Sequence, residues 1–591
     1  MNRTVRGDHA FRMTFACTAL ACCIALFAAL LPIGHWQDEY AVFPHMREGG
    51  LDAVWSRVLH WSPRPFSEGL IYVYSLAVFA FGRPLIGAAL ALAWLLFAVL
   101  LLLPARWAPR GVARRALLLL ALAIWCGCLL GHPVAEFFYW PMATLAYVPT
   151  VATLAFVCLT LIASGMTLRG STRPILAAST ERAPLLAQAA GTSGSAADSG
   201  AGDTFDGASD GGSARASVEA AAVGSVGSVA SAVAPTPRAA VPPCLPLCVA
   251  LAVAATSTEV GAMFVAAFGL LVVVASTLDR GALRALKWVG LPVVLAFGVI
   301  GLLYFGRVTQ SIEVMGQATV AHHLAPALRA SVHAVLVAMV SLDGTSSGVL
   351  NVVAGLAVKG LFTIGCRRLL APFMTPPPAS HAAPAMSLHR LPAVGMELAL
   401  PNAGTHEAAG PGASPAGIPV LLAAFACACL GVVALSIGAA FYQFGLLCCE
   451  RHDTFRQCLV YLGLASAAAA WAAGRRHRRC GVRPGAVSRV TAPRPVQGAS
   501  LLLAGAAIAF LAALPALHAD FRSYRRFAAV RAQNWQAGRA PGDTMSFAQH
   551  PPGRVVGGMV VEQGRYERGP NTPAWIDGVL MLFGKRSVTL K

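Results

Sequence analysis

Residues 13–33 read MTFACTALACCIALFAALLPI, and residues 34–40 continue GHWQDEY. The first stretch is long enough to cross the hydrocarbon core as a helix, which takes about 20 apolar residues. Two carboxylates, Asp38 and Glu39, follow within a few residues. Ionised groups beside hydrocarbon are costly and mark functional positions. The stretch therefore predicts a helical membrane protein with chemistry at the mouth of its first helix. Arg3, Arg6 and Arg12 precede the run as in a signal peptide, but no small-x-small cleavage site follows it cleanly. It reads as an uncleaved helix with its N-terminus in the cytoplasm.

Composition agrees. The chain has 591 residues, 57% hydrophobic and 12% charged. Soluble domains carry about 25% charged residues. The net charge of +19 does not point to nucleic acid. The basic residues fall in short segments between apolar runs, and no basic patch is interleaved with aromatics. The 15 cysteines form no CxxC pair and no zinc spacing, so they read as packing residues. Cys448, Cys449 and Cys458 flank one predicted outer loop and are the candidates for a disulfide.

Apolar spans are readable near 13–33, 84–103, 115–131, 142–164, 260–278, 286–305, 346–365, 417–440 and 500–517. Weaker ones lie near 244–258 and 456–473. The expectation is an all-α polytopic membrane protein of about eleven transmembrane helices. Stretches 66–81 and 326–342 are short and adjoin charged or proline-containing sequence, and they read as interfacial or re-entrant helices on the outer side. Arginine-rich loops around Arg106–Arg115, Arg280–Lys287, Arg367–Arg368 and Arg475–Arg483 contrast with the short outer turns at 132–141 and near 258, which hold no Arg or Lys. That bias predicts which loops are cytoplasmic and puts 518–591 outside.

The domain reading follows. Residues 1–169 form a membrane module with a first periplasmic loop, 34–83. Residues 243–371 form a second module, and 417–517 carry the last helices. Residues 170–242 and 372–416 are Ala/Gly/Ser-rich and Pro/Ala/His-rich, and read as disordered cytoplasmic linkers. Residues 518–591 form a small periplasmic cap. It is predicted to hold an amphipathic helix over 521–536, a strand over 555–561 and a short amphipathic piece over 575–585.

On this topology, polar residues from several loops gather on one face. They are Asp38 and Glu39; Arg64 with Glu68, His35 and His60; Glu136, Tyr139 and Trp140; Glu259; Arg307; and Arg451 and His452 with Glu450 and Asp453. Carboxylates there suit deprotonation of an acceptor or capture of a divalent cation. Arginines suit a phosphate. Taken singly, an interfacial arginine snorkels and an interfacial Trp or Tyr joins the aromatic belt. Two adjacent acids have no such anchoring role. Phosphate-loop, HExxH and nucleophile-elbow motifs of soluble enzymes are missing.

A first helix, an acidic pair in the first outer loop, amphipathic helices in that loop and many later spans resemble the GT-C superfamily of membrane glycosyltransferases. The segment Trp61-Ser62-Pro63-Arg64-Pro65-Phe66, followed by an apolar stretch and Phe81-Gly82, is similar to the loop before the second span in the aminoarabinose and mannosyl transferase branches. The tail, Trp575-Ile576-Asp577-Gly578 to Phe583-Gly584, looks like the end of a group of bacterial polytopic proteins related to that superfamily. The resemblance implies a polyprenyl-phosphate-linked sugar as donor and an envelope glycan or lipid as acceptor, on the periplasmic face of the bacterial inner membrane. It implies Asp38 as catalytic base, with Glu39 substituting or assisting, and Arg307 and Arg451 on the donor phosphate. The long linkers and the small cap depart from the better-known branches. Two other classes stay open: a transporter or flippase, and a non-catalytic envelope scaffold. Transporters hold polar groups near the bilayer midplane and show internal repeats. Here the polar groups sit at outer ends, and no inverted repeat is visible.

Overall fold

The computed structural model describes residues 3–170, 244–278, 280–305, 324–374, 417–444, 447, 449–474, 495–550, 553–557, 562–570 and 572–591. Arg307 lies outside the described residues, as do nearly all of the two predicted linkers.

The N-terminal part runs α1 (Arg3–Ala28), a 3-10 turn Leu31–Ile33, α2 (Glu39–His60), α3 (Pro65–Phe81), α4 (Ile86–Leu102), α5 (Val112–Leu129), α6 (Ala135–Phe138) and α7 (Pro141–Gly170). Next come α8 (Cys244–Ser257), α9 (Glu259–Leu278), α10 (Arg280–Leu283), α11 (Leu286–Leu303), α12 (Leu324–Val340) and α13 (Val349–Met374). The C-terminal part is α14 (Gly417–Phe444), α15 (Glu450–Gly474), α16 (Pro495–Arg539), β1 (Thr544–Phe547), β2 (Gly564–Glu567), α17 (Ala574–Phe583) and β3 (Ser587–Leu590).

Among the described residues, 10 helices are long and apolar enough to cross a membrane. They are α1 with its following turn, α4, α5, α7, α9, α11, α13, α14, α15 and α16. The chain is an all-α polytopic membrane protein. The eleventh expected span, 244–258, forms α8, whose 14 residues reach roughly 21 Å against a core of about 30 Å. The two ambiguous stretches are helices of 17 residues each, α3 and α12.

At the centre stands α7, buried without a break from Pro141 to Ser164. Its residues are small or apolar on every side, as a helix needs when other helices surround it. α13 and α16 pack against each other by backbone approach. A Cβ added at Gly498 would lie 2.4 Å from the Leu369 amide nitrogen and 2.8 Å from the Gly365 oxygen. Small residues at such crossings are how helices associate where lipid offers no hydrophobic drive.

Two expectations for the tail need correction. The span 500–517 and the amphipathic helix 521–536 are one helix, α16, of 45 residues. Asp520, where the apolar run ends, does not stop it. The Asp520 side chain is buried and accepts the backbone N–H groups of Arg554, Val555 and Val556 at 3.0, 2.8 and 2.8 Å. Those bonds also explain the second correction. Val555 and Val556 form a bend rather than a strand, because their donors go to Asp520 and not to a ladder; 558–561 lie outside the described residues.

The cap is a three-stranded sheet in the order β1-β3-β2, with β1 parallel and β2 antiparallel to β3. Met545 pairs with Val588, and both pack on Ile576, Val579 and Leu580 of α17. On its other side α17 seats on α2. A Cβ at Gly578 would come 2.5 Å from the Ala41 backbone. The cap therefore rests directly on the helix that begins at the acidic pair.

Candidate functional site

The two carboxylates at the start of α2 face different surroundings. Asp38 is exposed, and its side chain does not cap the helix. Glu39 is fully buried. Its Oε2 accepts from the Gln37 amide at 2.9 Å and from Trp140 Nε1 at 2.6 Å. Its Oε1 accepts from the Met142 amide at 2.9 Å. Burial pushes the Glu39 carboxyl up to about 7, against the downward pull of these bonds. Glu39 thus ties the start of α2 to the junction of α6 and α7, and Asp38 is left facing solvent.

Trp140 carries the geometry onward. The Arg451 guanidinium lies over its ring, 4.9 Å from the centroid. Arg451 Nη1 stands 4.0 Å from Glu136 Oε2, and both side chains are partly exposed. One residue on, His452 Nε2 is 3.1 Å from the Tyr147 hydroxyl. Tyr139, by contrast, is fully buried and donates to the Phe27 carbonyl at 2.8 Å, so it anchors α1.

Arg64 is buried and donates to Glu68 Oε1 at 3.0 Å, while Arg57 donates to Glu68 Oε2 at 2.8 Å. Burial works against both charges. For Glu68, Arg64 and Arg57 outweigh it and hold the carboxyl below its usual range. For Arg64, Glu68 outweighs it, with help from Tyr147 and Glu259, and raises the guanidinium further. Glu259, at the start of α9, accepts from Ser62 Oγ at 2.7 Å. Ser67 Oγ lies 2.7 Å from the Ser257 carbonyl, which fixes the α8–α9 turn beside α3.

The fold therefore brings Glu39, Glu136, Trp140 and Arg451 into one contiguous set, with Arg64, Glu259 and His452 joined to it through Tyr147 and Ser62; Asp38 adjoins the set through the chain, with its side chain exposed. Among the described residues, no three His, Cys, Asp or Glu side chains are grouped to hold a metal ion. Cys449 is disulfide-bonded, whereas Cys458 is a buried free thiol.

Lys359 belongs to no motif and to no outer loop. It sits in α13 amid apolar residues and is buried. Its Nζ donates to the Ala338 and Ser341 carbonyls at 2.9 and 2.7 Å. Gln457 donates to the same Ala338 oxygen at 3.0 Å. An ammonium from one helix thus closes the C-terminal carbonyls of another, α12, where the helix dipole favours positive charge. A lone lysine in an apolar span was the available signal.

The site and the spans together define the class, a polytopic helical membrane protein with a charged cluster at one end of its bundle. Comparison with known proteins returns no matching family model, no matching curated protein and no matching solved structure.

Proposed function

We propose that this protein is an inner-membrane glycosyltransferase, moving a sugar from a polyprenyl-phosphate donor to an envelope glycan or lipid on the periplasmic face. The observation that supports this reading is the setting of Arg451. Its guanidinium is partly exposed, lies on Trp140 and is only loosely paired with Glu136. Trp140 in turn is hydrogen-bonded to Glu39, next to the exposed Asp38. The partly exposed guanidinium supplies an anion grip, and the solvent-facing carboxylate that follows Gln37 in the chain supplies a base.

In this reading Asp38 takes the proton from the acceptor hydroxyl, and Glu39 is a positioning residue that fixes the start of α2. Arg451 and His452 hold the donor phosphate. Arg64 and Glu259 shape the floor of the site, and Arg307 is a further phosphate candidate on sequence grounds. Were a divalent cation used, Asp38 would be its protein ligand and the cation would neutralise charge on the donor phosphate, since no three His, Cys, Asp or Glu side chains are grouped to hold one among the described residues.

Complementation of a deletion strain with Asp38→Asn tests it. The expected result is loss of one envelope glycan species, seen by mass spectrometry, with unchanged protein in the membrane fraction. Full restoration of the profile by Asp38→Asn and by the Asp38→Asn, Glu39→Gln double variant overturns it. Lys359 favours a second reading, a transporter or flippase, because a buried cation within a crossing helix is typical of substrate pathways. Substrate accumulating on the cytoplasmic side of the deletion strain would select that reading.

A further inference from the structure

One face of α16 changes character along its length. Ile508, Leu511 and Leu514 are exposed apolar side chains. His518, Arg522, Arg525 and Arg526 follow on the same face and are exposed. Ala529, Gln533 and Gln536 continue it, also exposed. At 3.6 residues per turn the four basic positions fall within an arc of roughly 100°. No ion pair among the described residues engages Arg522, Arg525 or Arg526. Their neighbours further along are engaged. Arg531 donates to the Pro32 and Gly34 carbonyls, and Arg539 donates to the Gly82 carbonyl at 3.0 Å.

The apolar-to-basic change fixes depth. Leu514 faces lipid, and Arg522 stands roughly 12 Å further along the axis at 1.5 Å per residue. The interfacial layer on each side of the core is about 5–8 Å thick. Arg525 and Arg526 stand roughly 17 and 18 Å along, and a long arginine side chain reaches back several ångströms, so the three guanidinium groups are spread from within the headgroup layer to its outer edge. Their grouping within about one turn sets them apart from single snorkelling residues. On the sidedness read from the loops they are also on the outer side, where the positive-inside bias disfavours arginine next to a span.

We infer that Arg522, Arg525 and Arg526 form a binding surface for the phosphodiester headgroups of anionic bilayer lipids. The surface is separate from the site at Asp38 and does not depend on what that site does. Arginine suits it because its planar fork takes two phosphate oxygens at once.

The test uses the full chain purified in neutral detergent and offered phosphatidylglycerol, phosphatidylcholine or a polyprenyl monophosphate, with bound lipid counted by native mass spectrometry. The wild type is expected to retain phosphatidylglycerol over phosphatidylcholine. The Arg522→Gln, Arg525→Gln, Arg526→Gln variant is expected to bind phosphatidylglycerol at least about tenfold more weakly, with an unchanged melting temperature in neutral detergent. The triple lysine variant keeps most of the binding, which guards against a variant that misfolds. Equal retention of phosphatidylglycerol and phosphatidylcholine by the wild type overturns the inference. So does unchanged retention in a folded triple glutamine variant, or selective retention of the polyprenyl phosphate alone.

Discussion

The indole of Trp140 donates to the carboxyl of Glu39 at 2.6 Å, and this bond joins two segments 101 residues apart. It couples the first loop to the central helix, because Trp140 directly precedes α7. Three N–H groups converge on Glu39, so removing the carboxyl leaves them all without an acceptor.

Glu39→Ala is therefore expected to destabilise by about 2–4 kcal/mol through buried unsatisfied donors. Glu39→Gln keeps an acceptor oxygen and is expected to cost less. The pH dependence has a definite sign. The Glu39 carboxyl is raised from 4.5 to about 7, so between these values the folded state holds a proton that the unfolded state releases. Its contribution to stability falls as pH rises through that window. Melting curves in detergent at pH 5 and pH 7.5 check this. A slope unchanged in Glu39→Gln would show that the carboxyl does not titrate there.

His35 works in the opposite direction. Burial, and His550 with its ring centroid 6.1 Å away, push the imidazole down from 6.5 to about 3. The unfolded chain binds the proton first, so stability is lost as pH falls below about 6.5. His35 lines a cavity of about 40 Å³ with Gln37, Tyr40, Arg531 and His550, between the first loop and the cap. Acid is thus expected to loosen the cap. Limited proteolysis at pH 7.5 and pH 5 should show faster cutting of the C-terminal segment at the lower pH, and His35→Asn should flatten the difference. Equal cutting rates in the wild type would refute it.

Glu68 is held between Arg57 and Arg64 with its side chain fully buried. Glu68→Gln strands two cations, one of them deeply buried, and is expected to cost about 3 kcal/mol. Because the Glu68 carboxyl is held below its usual range, its contribution is complete above the unfolded value of 4.5 and is lost as pH falls through the lower folded value. The melting temperature of Glu68→Gln relative to wild type at pH 7 measures this. A shift below one degree would mean that the arginines find other partners.

Much of this was legible in the sequence. Nine of the eleven spans read as clear apolar runs and form long helices, and the weaker run 456–473 forms a tenth, α15. The bounds of α8 were legible, 244–258 against Cys244–Ser257, but the continuity of α16 was not, because Asp520 reads locally as an end and only tertiary bonds decide between stopping and continuing. Within the candidate set, residue type predicted proximity but not role. Asp38 and Glu39 are neighbours in sequence with opposite exposure, and no local rule separates them. Glu68 looked like one more loop acid until Arg57 and Arg64 closed on it. Lys359 was readable as an anomaly, but its carbonyl partners come from another helix.

The approach of α13 to α16 gives a sharp steric test. The Leu369 amide nitrogen stands 2.4 Å from the position a Cβ would take at Gly498, so even alanine forces the backbones apart. Gly498→Leu is expected to abolish accumulation of folded protein, and Gly498→Ala to lower its melting temperature. Gly431 has open space at its Cβ, so Gly431→Ala serves as a control with little effect. Size-exclusion profiles of the three variants decide the matter. A normal Gly498→Leu profile would mean that the two helices do not meet as described.

The number of crossings turns on α8. Its C-terminal Ser257 carbonyl meets Ser67 Oγ at 2.7 Å, and Glu259, two residues later, meets Ser62 at the same end of the bundle. The chain therefore reaches the site end through α8 and leaves it through α9. Counting only the described residues, and with α3 and α12 taken as non-crossing, ten long helices without α8 would put the segment before α1 and the C-terminal cap on the same side; with α8 as an eleventh pass they are on opposite sides. Although α8 is short, its termination beside the buried Ser67 makes the odd count the expected one. Phosphatase and fluorescent-protein fusions after Lys591, with cysteine labelling at Arg110→Cys as an internal reference, are expected to report the cap outside and Arg110 inside. A cap found on the same side as Arg110 would remove α8 from the count and would contradict the seating of α17 on α2, which α4 separates from Arg110.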